Sequence, residues 1–73
     1  MTEYQLQLTA RYRPEVLERI LRVVRHRGFT VLALNGNNQG ETFTLNLTVR
    51  SERALDLLKN QLLKLPDVIE LSE

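Results

Sequence analysis

His26 is the single histidine of a chain that has no cysteine. Thiolate nucleophiles, disulfides, Cys-built zinc sites and multi-histidine metal clusters are therefore all excluded. No Ser/His/Asp set, paired carboxylates or glycine-rich phosphate loop occurs anywhere in the sequence. The residues left for chemistry are arginines and amides, which bind and do not turn over. Arg11, Arg13 and Asn46 are the types that grip an acyl phosphate, yet no glycine stands near the two arginines to let an anion approach backbone N–H groups. What remains notable is the stretch RYRPEVLERILRVVRHRGF, Arg11 to Phe29, which opens near a proline, turns basic and closes on a glycine.

The elements that position these residues follow from periodicity. Tyr4, Leu6, Leu8 and Ala10 alternate with Gln5, Gln7 and Thr9, the pattern of a half-buried strand. Pro14 suits the first position of a helix, where its missing N–H costs nothing. At 100° per residue, Val16, Leu17, Ile20, Leu21, Val23 and Val24 share one face, with Glu18, Arg19, Arg22, Arg25 and His26 opposite. Gly28 stands where a helix needs a left-handed residue to end. Phe29 to Leu34 reads as a second strand and Asn35 to Gly40 as a polar turn containing Asn-Gly. Phe43, Leu45, Leu47 and Val49 alternate in a third strand. Ser51 is a suitable N-cap for a second helix running to about Leu65, with Ala54, Leu55, Leu58, Leu62 and Leu65 inward and Pro66 as its stop. Val68 to Ser72 is a short last strand.

The order is βαββαβ in one domain spanning residues 1–73. Two one-faced helices and four strands are satisfied by an α+β, ferredoxin-like arrangement: a four-stranded antiparallel sheet with both helices on one face. The expected strand order is 4-1-3-2, with strands 2 and 4 as edges. Such a sheet binds RNA by stacking bases on aromatics of strands 1 and 3, but here the open face offers Gln5, Gln7, Thr9, Thr44, Asn46 and Thr48. With a net charge of only +1, no long-range field draws the chain to nucleic acid or membrane. There is no apolar run long enough to span a bilayer and no charged-then-apolar leader, so a cytoplasmic location is expected.

Two features point to protein partners. Strand 2 carries Val31, Leu32, Ala33 and Leu34, apolar on both faces, although the topology makes it an edge; such edges recruit other strands, and pairing with a second copy would bury it. Leu57 and Leu63 fall off the inward face of helix 2. With Arg19, Arg22, Arg25 and His26 they are the candidate partner surface. The solvated-face explanation of those cations is that they complement the helix dipole and form i,i+4 pairs, Glu15 with Arg19 and Glu18 with Arg22.

The stretches YRPEVLERILRVVRHRGF, TFTLNLTV and LKNQLLKLPDVIELS closely resemble the small regulatory subunits of acetolactate synthase, proteins of the ACT-domain family, and are nearest to the short, single-domain members. The resemblance covers nearly the whole chain. It implies a non-catalytic activating subunit that binds a large catalytic subunit in branched-chain amino-acid (valine, leucine, isoleucine) biosynthesis. That enzyme condenses two pyruvates, or pyruvate with 2-oxobutyrate. Thiamine diphosphate, magnesium and FAD are expected in the catalytic subunit, with no cofactor in this chain.

The resemblance also implies an amino-acid effector loop where strand 1 enters helix 1: Tyr12, Arg13, Pro14, Glu15, Val16 and Leu17. The family pattern has a polar residue where Tyr12 stands and a glycine where Glu15 stands. Glu15 adds bulk and negative charge where a carboxylate would dock, so a vestigial, valine-insensitive site is expected. The competing expectations are a free-standing ACT-type small-molecule sensor and a ferredoxin-like module that binds another enzyme.

Overall fold

The computed structural model describes residues 2–73. In chain order the elements are β1 (Thr2–Arg11), α1 (Pro14–His26), β2 (Thr30–Gln39), β3 (Thr42–Ser51), α2 (Leu55–Leu63) and β4 (Val68–Ser72). The sheet order is β2-β3-β1-β4, every pairing antiparallel, so β2 and β4 are the edges as the sequence predicts. Leu6, Leu8 and Ala10 of β1 lie opposite Leu47, Leu45 and Phe43 of β3 on one face. Val16, Ile20 and Val24 of α1 and Leu55, Leu58 and Leu62 of α2 close over that face to form a single core. The alternation of apolar residues in the strands and their helical spacing in α1 and α2 are the cause.

The end of α1 is built as the sequence requires. Gly28 has φ +83, its N–H donates to the Arg25 carbonyl at 3.0 Å, and the Phe29 N–H reaches back to Val24 at 3.1 Å. This is a Schellman ending, with Phe29 and Val24 both buried beneath it.

Three local expectations are corrected. The segment Asn35–Gln39 is strand, paired with Asn46 through Thr42; ladder pairing with β3 overrides the turn preference of those residues. The turn itself is Gly40-Glu41, and the φ of +77 at Gly40 meets the demand of a two-residue hairpin. Second, α2 is shorter than expected. Ser51 remains in β3, opposite Thr2, and Ala54 is the N-cap, exposed and without a side-chain cap bond. Third, a bulge between Val31 and Ala33 leaves Leu32 outside the register and sets Leu34 opposite Leu47. Leu34 therefore shares the helix-side face with Val31, and Ala33 joins the open face.

The expected intrahelical pairs on α1 do not close. Arg19 instead reaches Asp67 in the α2–β4 connection at 3.3 Å. Lys59 donates to Glu73 at 2.8 Å, and that hydrogen bond raises the Lys59 pKa above its ordinary value.

Candidate functional site

A cleft of about 330 Å³ opens where β1 passes into α1. Arg13, the N-cap of α1, is extended, and Pro14 follows at the first helical position. The Tyr12 N–H donates to the Glu41 carbonyl at 2.8 Å, and the Arg11 N–H to the Asp67 carbonyl at 2.9 Å, which fixes the loop against two neighbouring connections. Tyr12 packs edge-on against Phe43, ring centroids 6.1 Å apart. On the far side, the length of β2 brings Leu34, Gly36, Asn37 and Asn38 to the cleft.

Of the six loop residues named from the sequence, Tyr12, Arg13, Pro14 and Leu17 line this cleft. Val16 turns into the core. Glu15 is exposed in the first turn and outside the lining, so its bulk does not fill the cleft. The contribution of Asn37 and Asn38 was missed by sequence reasoning, because Asn-Gly-Asn-Asn reads as turn; the alternation resumed beyond Gly40 was the available signal.

The lining is apolar at Leu17, Leu34, Phe43 and Leu45, with one cation, Arg13, and two amides. It can hold a small amphiphile and offers a guanidinium to an acid group. Backbone donation at the helix start is poor: Pro14 has no N–H, and the Val16 N–H is bonded to the Arg13 carbonyl at 3.1 Å. No nucleophile–base pair lines the cleft, and among the described residues no group of His, Asp and Glu could hold a metal ion.

The remaining predicted residues form three separate surfaces. Arg22, Arg25 and His26 surround a hollow on α1, while Arg19 is drawn off by Asp67. Leu57 and Leu63 are 53% and 54% exposed on α2 and lie outside that hollow. Along the β2 edge, Leu32 and Leu34 are 41% and 45% exposed, Val31 is half-buried, and Ala33 is exposed.

Comparison with known proteins places these features in context. Residues 12–71 match the family described as the ACT domain. The small subunit of acetolactate synthase isozyme 2 of Escherichia coli is 49% identical over 70 residues, covering 93% of this chain and 80% of that subunit. The acetolactate synthase small subunit of Thermotoga maritima superposes with a TM-score of 0.83 at 16% identity, over 99% of this chain and 47% of that one. The ACT domain of a GTP pyrophosphokinase from Chlorobium tepidum superposes with a TM-score of 0.82 at 17% identity, over 96% and 94%. At those identities the two structures speak for the fold alone.

Proposed function

The chain belongs to the ACT-domain family of acetolactate synthase small subunits, and from that premise we propose that it is the regulatory, non-catalytic subunit that activates a large acetolactate synthase subunit. The observation that carries this reading is the 49% identity running through 93% of the chain. A cleft lined by binding groups and no nucleophile–base pair agrees with a role in which chemistry stays with the partner. Thiamine diphosphate, magnesium and FAD belong to that catalytic subunit, which joins two pyruvates, or pyruvate and 2-oxobutyrate, on the way to the branched-chain amino acids. The cytoplasm is where such a complex works.

The cleft is a reduced amino-acid site in this reading. Arg13 and the apolar floor remain, but Pro14 withholds a backbone donor, Tyr12 replaces a polar anchor, and Glu15 adds a negative charge in the first turn of the adjoining helix. Valine then fails to dock, and the activated enzyme is insensitive to it. Val31, Leu32, Ala33 and Leu34 pair with the same strand of a second copy. Arg22, His26, Leu57 and Leu63, on the outer side of the helices, face the catalytic subunit.

Gel filtration of the chain mixed with an acetolactate synthase catalytic subunit tests the partnership. Co-elution is expected. Separate elution would leave the cleft as the defining feature and favour a free-standing small-molecule sensor.

A further inference from the structure

Two exposed large side chains belong to neither the β2 edge nor α2. Tyr12 is 55% exposed and Ile69 54%. Both line a second hollow, of about 630 Å³, at the end of the sheet where β1 passes into α1, with Arg11, Arg13, Glu41 and Thr42 beside them. The sheet order builds this end: β1 stops between the starts of β3 and β4, with Arg11 opposite Thr42 and Ala10 opposite Val68.

Ile69 points outward for a structural reason. The β1–β4 ladder sets Glu70 opposite Thr9 and Val68 opposite Ala10, so Ile69 is the extra residue of a bulge. Strict alternation would put Val68 and Leu71 on opposite faces; the bulge lets both pack against the core and leaves Ile69 outside. A lone exposed isoleucine is ordinary. One held out by its backbone beside a tyrosine and two arginines has the composition of a binding hot spot.

The charges narrow what fits. Neither Arg11 nor Arg13 has an ion-pair partner among the described residues, whose two salt bridges join Arg19 to Asp67 and Lys59 to Glu73. Glu41 is the one carboxylate in the lining, so the hollow sets two cations against one anion. A guanidinium holds a carboxylate in a bidentate pair, while Ile69 asks for an apolar neighbour that a free small anion does not supply. The frame is already fixed by the bonds from the Arg11 and Tyr12 N–H groups to the Asp67 and Glu41 carbonyls, so docking orders little backbone.

We propose that this hollow is a docking site for a segment of the catalytic subunit that presents an acidic side chain next to an apolar one. The acid meets Arg11 and Arg13, and the apolar side chain seats on Ile69 and Tyr12. The inference rests on the partnership proposed above and adds a contact at the end of the sheet to the one on the outer side of the helices. Tyr12 and Arg13 line the cleft as well and form the wall between the two; Arg11 and Ile69 line the hollow alone and so report on it without touching the cleft.

Biolayer interferometry of the full chain on an immobilised acetolactate synthase catalytic subunit tests it, with circular dichroism melts on each variant. Arg11→Gln and Ile69→Ser are each expected to weaken binding several-fold, and together roughly tenfold or more. Glu41→Gln removes the competing carboxylate and is expected to tighten binding, a change of opposite sign that general damage to this surface does not produce. Arg11→Lys keeps the charge, is expected to bind more tightly than Arg11→Gln, and serves where the glutamine variant alters the melt. Variants that bind as tightly as the unmodified chain, or a Glu41→Gln that weakens binding as Arg11→Gln does, overturn the docking site while the partnership stands. Loss with Arg11→Gln but not with Ile69→Ser reduces the hollow to an anion contact and overturns the seated segment. A double variant that is captured normally but self-associates less in sedimentation equilibrium gives the hollow to a second copy and overturns the proposal. An unmodified chain that is not captured at all overturns both the site and the partnership.

Discussion

The Ser51 hydroxyl donates to the Gly28 carbonyl at 2.9 Å, joining the end of β3 to the turn that follows α1. The same oxygen accepts the Arg53 N–H at 2.9 Å, which begins the connection to α2. Ser51 is the one buried polar side chain among the described residues. One hydroxyl thus serves two backbone groups, and its removal strands both. Ser51→Ala is expected to cost about 1–3 kcal/mol, the range for a buried group left without its partner. In a chain of this size each kcal/mol lowers the midpoint of thermal unfolding by roughly 4–8 °C, which a melting curve reads directly.

Gly28 and Gly40 share a left-handed backbone but not their surroundings. A Cβ on Gly28 would stand 2.6 Å from Arg53 Nε, whereas one on Gly40 meets nothing within 4 Å. Gly40→Ala therefore isolates the conformational cost, about 1–2 kcal/mol, and Gly28→Ala adds the displacement of Arg53. Thermal melts are expected to rank Gly28→Ala below Gly40→Ala. In an Arg53→Ala background the two costs should converge.

How far the fold was legible follows from these residues. The core was readable because Leu6, Leu8, Ile20, Leu45 and Leu58 sit at strict strand or helix spacing. Gly28 and Pro14 were readable because each solves a local problem that few other residues solve. Ser51 was misread as a helix cap: a serine before an apolar run has the right local chemistry for that role, and only its tertiary partner, Gly28, shows the other use. The cleft was half legible. Its α1 side followed from the loop residues, but its β2 side depends on Asn37 and Asn38 being held in a ladder with β3, and cross-strand pairing carries no local signature.

The exposed leucines of α2 and its buried ones separate stability from partnership. Leu58→Ala removes a side chain with 0% exposure and is expected to cost about 2–5 kcal/mol, enough to unfold much of a domain this small. Leu57→Ser and Leu63→Ser are expected to stay within about 0.5 kcal/mol of the unmodified chain. If these two leucines meet the catalytic subunit, the serine variants melt normally and co-elute poorly. Normal co-elution would free α2 from that role.

For the cleft, calorimetry with valine, leucine or isoleucine at millimolar concentration is expected to show no saturable binding. Glu15→Gly removes the first-turn charge beside the cleft residues Arg13 and Pro14 and relaxes the backbone there, and should recover weak affinity; adding Tyr12→Asn supplies a polar anchor and should recover more. Stability must be followed in parallel, since glycine in the first turn forgoes helix propensity and a favourable dipole contact. Tight valine binding by the unmodified chain would make the cleft a working feedback site.

The most direct measurement is acetolactate formation by a catalytic subunit of acetolactate synthase titrated with the purified chain. The account predicts no activity from the chain alone and a severalfold, saturable rise on mixing that valine does not reverse. A flat titration, with the two proteins eluting apart, would contradict it.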